Sequence, residues 1–163
     1  MTNRMFFNQR FATEHPAFVH VMQALAPDKL EWRPHARSRS AAELVGHLIG
    51  HEQDLLELAE TGAIHHRSQV SFTGLTHGLE LYAQAHGALD SRLKAIDDAT
   101  WDGRTGRFLV GDQVVYEMPY RDLMWMMFFD SIHHRGQLST YIRPMGGKVP
   151  SIYGPSADDQ GSH

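Results

Sequence analysis

The chain has 163 residues, about one domain's length, and its 42% hydrophobic content is enough for a core of ordinary size. A net charge of −4, with no Lys/Arg-rich run, argues against a phosphate-binding surface and so against nucleic acid as a partner. Cysteine is absent, which removes disulfides, thiolate nucleophiles and Cys-based metal sites together, so any metal must be held by His, Asp or Glu.

The opening stretch, MTNRMFFNQRFATEHP, has no apolar run suited to a signal peptide, and no later stretch reaches the roughly 18 apolar residues of a membrane span. A soluble, cytoplasmic protein is expected, with no membrane partner. The first helix is expected over residues 9–26. Phe11, Phe18, Met22 and Leu25 share one face, Pro16 lies near the start and Pro27 closes it. The second begins at Ser40, where a capping box with Glu43 is expected, runs through Leu44, Leu48, Leu55 and Leu58, and stops near Gly62. The third covers about Thr76 to Asp98, with Leu79, Tyr82, His86, Leu89, Leu93 and Ile96 stepping by three and four.

RFLVGDQVVYEMP follows, where two short β-prone runs flank Gly111-Asp112 and predict a small hairpin or extended crossover. The fourth helix is expected from Tyr120 to Met145, with Leu123, Met127, Asp130, His134, Gln137 and Tyr141 along one inward line. The fold class is therefore all-α, a four-helix bundle with a small hairpin between helices three and four. Residues 1–155 form one domain, and residues 156–163 form a polar tail that lies over the bundle and frays.

The chemistry concentrates in FFDSIHHRGQL, residues 128–138. Asp130 and His134 stand four residues apart, so both side chains reach one point from one helix face. In HLIGH on the second helix, His47 and His51 share that spacing and offer one or two further imidazoles. Asp130 sits among Trp125, Met126, Met127, Phe128, Phe129 and Ile132, so it is expected to be buried, and a dication would supply the charge it needs. The plainer alternative is a helical ion pair, worth roughly 0.2–0.5 kcal/mol when exposed. His86 is expected to be a core histidine with one hydrogen bond, and His35, His65 and His66 exposed loop residues. The apolar run at 124–129 exceeds what one core covers and predicts a homodimer through the fourth helix or the hairpin.

IHHRGQLSTYIRPMGGKVPSIYGPS resembles the C-terminal signature of the DinB-like superfamily of YfiT-like metalloenzymes, in which a final helix carries HxxxHRGQ before an arginine, a glycine and a P-x-x-YGP tail. LEWRPHARSRSAAELVGHL resembles its other landmark, a proline-containing approach to a helix with a histidine two turns in. The resemblance implies an up-down-down-up bundle holding one divalent ion, nickel, zinc or iron. It implies His47 and His134 as ligands, Asp130 at the position of the third histidine, and His51 in reserve. It also implies that Gln137 orients a ligand, that Arg135 is structural or interfacial, and that Gly136 permits close packing. The activity implied first is a thiol-dependent S-transferase using a low-molecular-weight thiol and a small-molecule substrate. A metal-dependent hydrolase, with His51 or Glu52 as acid or base, and a non-catalytic stress-related metal-binding dimer are the alternatives.

Overall fold

The structure, a computed structural model, describes residues 1–161. Helix α1 (Asn3–Gln23) begins almost at once, because the Thr2 hydroxyl accepts from the Met5 amide and caps it. It starts earlier than the expected residue 9, and the added turns carry Phe7 into the core. Pro16 therefore lies inside the helix rather than near its start.

Helix α2 (Ala41–Thr61) forms as its end signals dictate. Ser40 and Glu43 make both halves of the capping box, and Gly62 closes the helix at φ 83°, a left-handed conformation that glycine adopts without steric cost. Strand β1 (Ala63–His65) follows directly. Helix α3 (Leu75–Lys94) ends before the expected Asp98, because Asp97 caps a separate short helix, α4 (Asp98–Gly103), by accepting from the Thr100 amide. Helix α4 brings Trp101 fully into the core.

The expected hairpin forms as β2 (Thr105–Val110) and β3 (Gln113–Pro119), antiparallel and turning on Gly111 at φ 58°. It is not alone. Strand β1 pairs in parallel with β2, setting Ala63 opposite Arg107, so the sheet has three strands in the order β1-β2-β3. The all-α expectation is corrected accordingly: among the described residues the fold is mostly helical, with five α-helices and a small sheet. A three-residue parallel strand carries no periodicity of its own, and only its distant partner makes it a strand.

Helix α5 (Tyr120–Ser139) leaves β3 directly and ends before the expected Met145. The chain then turns through Gly146, and Gly147 lies so close to the end of α1 that a Cβ there would meet the Ala24 carbonyl oxygen at 2.4 Å. Helix α2 packs against α3 and α5, and α1 packs against the same two helices. Phe7, Phe11, Leu48, Leu55, Tyr82, Leu89, Leu123 and Phe128 fill the space between them. In the tail expected to fray, residues 156–163, Asp158 pairs with Arg143 and accepts from the Val149 amide, while residues 162–163 lie outside the described residues. Among the described residues no helix is long and apolar enough to cross a membrane.

Candidate metal centre

Helices α2 and α5 lie side by side, so two pairs of residues spaced one turn apart face each other. His47, His51, Asp130 and His134 each offer one donor atom, and all four atoms lie within 4.8 Å of one another, a group that can hold a metal ion. His47 Nε2 stands 3.1 Å from His134 Nε2 and 3.1 Å from His51 Nε2. Asp130 Oδ2 lies 3.5 Å from His51 Nε2 and 3.4 Å from His134 Nε2.

The outward nitrogens decide what those short contacts mean. His47 Nδ1 lies 2.6 Å from the Ser68 carbonyl oxygen, which can only accept, so the proton is on Nδ1. His51 Nδ1 lies 3.0 Å from Ser131 Oγ, whose own proton goes to the Met127 carbonyl, so this imidazole also donates from Nδ1. His134 Nδ1 donates to Gln137 Oε1 at 2.8 Å. Each Nε2 then points a lone pair inward, and no hydrogen remains to bridge nitrogens 3.1 Å apart. Protonation is a poor remedy. Burial, with Arg39 nearby, lowers His47 to about 4, and burial, with His47 adding to it, lowers His51 to about 3. The neighbouring His134, with His51 and His47 beyond it, holds Asp130 down at about 2 against the opposing effect of burial, so the carboxylate is charged at neutral pH.

Three inward lone pairs and a carboxylate are what a cation satisfies. Four of the six separations, 3.1–3.5 Å, match the distance of roughly 3.3 Å between neighbouring donors on bonds of about 2.0–2.1 Å, and all six lie within 4.8 Å, so the residues fit a divalent ion. Imidazole and carboxylate together suit zinc, nickel and iron.

The Ser68 carbonyl is in place because the loop after β1 lies directly on α2. A Cβ on Gly46 would meet the Val70 carbonyl oxygen at 2.4 Å, and the Val70 amide donates to the Gly46 carbonyl. The buried Asp54 fixes the other end of that loop, accepting from His66 Nδ1, the Arg67 amide and the Arg67 guanidinium. Burial pushes the Asp54 carboxyl up, and the His66 and Arg67 hydrogen bonds oppose that shift.

Two pockets touch the cluster. One, of about 300 Å³, is lined by Arg37, Ser38, Arg39, Leu44, His134, Gln137 and Tyr141. The Tyr141 hydroxyl donates to the Arg39 carbonyl and pins that loop, and among the described residues neither Arg37 nor Arg39 has a carboxylate partner. The other, of about 410 Å³, reaches the cluster at Asp130.

The DinB family profile matches residues 1–161. The chain belongs to the DinB family. Among solved structures, this DinB protein is similar to a DinB-like protein of Bacillus subtilis, at 18% identity and TM-score 0.71, covering 90% of this chain and 96% of that one. It is also similar to a DinB-like protein of Bacillus cereus, at 17% identity and TM-score 0.73, covering 90% and 95%. A mycothiol-dependent maleylpyruvate isomerase is a more distant neighbour, at 12% identity and TM-score 0.54, covering 90% of this chain and 64% of that one. A search of curated proteins gives no match.

Several expectations need correction in this DinB protein. Asp130 is not buried: its side chain is 48% exposed, and Phe129 is exposed beside it. Successive helical residues differ by about 100°, so Met127 and Phe128 face the core while 129 and 130 reach the rim. Glu52 is not beside the cluster; it turns toward α3, accepts from the Tyr82 hydroxyl and stands 3.3 Å from His86 Nδ1. His86 packs inside as expected but makes no hydrogen bond from Nδ1 among the described residues. His35 and His65 are exposed, whereas His66 is largely covered by its bond to Asp54. Gly136 packs against nothing, since a Cβ there would meet no atom within 4 Å. Arg135 is structural: it is buried, pairs with Glu14 and donates to the Tyr153 hydroxyl. Sequence reasoning missed Ser131, Ser68 and Asp54. Ser131 adjoins Asp130 and shares the helix spacing, but nothing local links Ser68 or Asp54 to His47.

Proposed function

We propose that this protein is a divalent-metal-dependent enzyme that binds a low-molecular-weight thiol and transfers its sulfur to an electrophilic carbon of a small-molecule substrate. One ion per chain is held by His47, Asp130 and His134, with His51 as a fourth donor, on an up-down-down-up four-helix bundle. The ion would serve as a Lewis acid that lets a thiol bind as thiolate near neutral pH.

The observation that carries this reading is the arginine pocket beside His134. Many small cellular thiols, glutathione among them, carry carboxylates, and two guanidiniums without carboxylate partners among the described residues, opening next to the inward nitrogens, are suited to bind such a molecule with its sulfur toward the cluster. Ser68, Ser131 and Gln137 hold the imidazoles in the tautomer that keeps Nε2 free. The likeness to a mycothiol-dependent isomerase supports the same class. Hydrolysis is less well supported, because Glu52 is turned into the core.

A cytoplasmic setting, where free thiols are abundant, fits this chemistry. We assign a homodimer to the apolar groove between α1 and α5, where Phe6 and Phe129 are exposed around about 470 Å³; light scattering giving a monomer at micromolar concentration would overturn it.

The test is metal-stripped protein reloaded with nickel, zinc or iron(II) and assayed with glutathione or with cysteamine, which has no carboxylate, against 1-chloro-2,4-dinitrobenzene. Metal-dependent thioether formation is expected. Arg39→Ala should raise KM for glutathione about tenfold, the share of one charge-assisted contact, and leave cysteamine unchanged. No metal-dependent turnover with either thiol sinks the reading.

A further inference from the structure

Two pockets meet the cluster through residues one turn apart on α5, and they differ in charge. The arginine pocket reaches it at His134. The second, about 410 Å³, reaches it at Asp130, between Phe108 and Tyr116 of the hairpin and Met126, Met127 and Phe129 of α5. We propose that this second pocket binds the electrophilic partner of the thiol, a neutral, planar aromatic molecule of one or two rings. The electrophile's role rests on the thiol reading above; the binding of a neutral aromatic does not.

Shape and chemistry of the wall support an aromatic ligand. Phe108 and Tyr116 stand with centroids 5.9 Å apart at 60°, giving a ring face and a ring edge to stack against. Two methionines opposite them have polarizable thioethers that adapt to aromatic edges. The volume falls at the small end of the roughly 300–1,000 Å³ of small-molecule sites. The wall is also braced from behind: the Phe108 ring lies 5.2 Å from the His66 ring, and His66 is tied to the buried Asp54.

Charge disfavours an anion. The pocket is lined by His133 but by no Lys or Arg, and its inner end is the Asp130 carboxylate, whose charge a bound ion would offset, so an anion gains least here while the neighbouring arginine pocket attracts one. The two substrates are thereby sorted, the anionic thiol to the arginine side and the neutral electrophile to the aromatic side, with sulfur and carbon meeting at the cluster. The attack forms the S–C bond and expels the leaving group with its bonding electrons, chloride in the case of 1-chloro-2,4-dinitrobenzene, while the thiol proton passes to solvent.

The experiment is a fluorescence titration with 6-propionyl-2-(dimethylamino)naphthalene, a neutral, planar two-ring aromatic whose emission shifts to the blue and rises in apolar surroundings, on metal-free and metal-loaded protein. Wild type should bind it in both forms. Met126→Glu should weaken binding at least about tenfold, and Tyr116→Ala, at a half-exposed strand position that tolerates truncation, about threefold. Phe6→Glu, on the groove that shares only Phe129 with this pocket, should stay within about twofold. Absence of binding to wild type overturns the proposal. So does loss with Phe6→Glu but not with Met126→Glu, or probe-insensitive Met126→Glu that instead converts dimers to monomers. In turnover, Met126→Glu should raise KM for 1-chloro-2,4-dinitrobenzene and not for glutathione. If loaded wild type binds the probe as stated but shows no thiol-dependent turnover, the S-transferase reading falls and the aromatic pocket remains.

Discussion

Between α2 and α5, His47, His51 and His134 anchor their Nδ1 atoms on Ser68, Ser131 and Gln137 and turn their Nε2 atoms to one point. Between α1 and α3, His15 and His86 lie face to face with centroids 3.6 Å apart, and both Nδ1 atoms are buried without a hydrogen-bond partner among the described residues. Both groups lie between packed helices, and Glu52 of α2 is as near to the second as Asp130 is to the first. What separates them is the outer contact. An anchored Nδ1–H fixes ring and tautomer and aims a lone pair, whereas a stacked imidazole is held by its face and aims nothing. Histidine count alone does not make a group that can hold a metal ion; acceptors behind the rings, which aim the lone pairs, set the first cluster apart.

The comparison breaks most directly at the ligands. His134→Ala should lower metal affinity by more than about a hundredfold, beyond the 10–100-fold typical of losing a supporting partner, and His47→Ala should match it. His51→Ala should lose less. His86→Phe, which keeps the ring stack, should bind one ion per chain like wild type. Calorimetric titration of stripped protein with nickel and zinc measures all four. Wild-type affinity in His134→Ala, or metal loss in His86→Phe, reverses the assignment of the two clusters.

The supporting atoms come next. Ser131→Ala removes the acceptor behind His51, and Gln137→Leu the one behind His134, and each should cost about 10–100-fold in metal affinity with the ligands untouched. Gly46→Ala should act at longer range, because its Cβ must displace the Val70 carbonyl and with it the loop carrying Ser68. If all three bind as wild type, the outer contacts do not aim the imidazoles.

How much of this was legible in the sequence follows from distance along the chain. The Ser40–Glu43 capping box, the Gly62 stop, the Gly111 turn and the two one-turn pairs, His47/His51 and Asp130/His134, are local patterns, and each lies within one element where spacing alone fixes geometry. Strand β1, the Ser68 acceptor and the Asp54 anchor each need a partner at least a dozen residues away, and no local pattern selects it. The exposure of Asp130 failed for a third reason. Periodicity tells which residues share a helix face, but whether that face ends in the core or at a rim depends on the helices laid against it.

Acid should separate the clusters from the rest of the molecule by a smaller margin. His15, lowered to about 4 by burial and by His86, joins His47 and His51 in staying neutral when folded. An unfolded histidine takes its proton near 6.5, so between about 6.5 and 4 the unfolded chain binds more protons than the folded one. Stability is therefore full above that window and falls as pH drops through it. Urea midpoints of chelator-treated protein should decline from about pH 7 to about pH 5, and His15→Phe should flatten the decline by removing one of the three contributions. A midpoint that rises on acidification would contradict the buried neutral state.

The smallest effect is expected at Asp130, the one donor that is half exposed. Its replacement by alanine leaves three imidazoles converging, and its replacement by histidine keeps a donor one turn before His134, at the same face of α5. Asp130→His should therefore bind a divalent ion within about tenfold of wild type while raising the site's charge by one, which shifts preference from iron(II) toward nickel and zinc, the ions favoured by imidazole over carboxylate. Competition titrations of wild type and Asp130→His with the three metals read both quantities. If Asp130→His binds no metal, the site needs the carboxylate's charge and not merely a donor at that position, and the contrast between the anchored and the stacked clusters has to be redrawn around it.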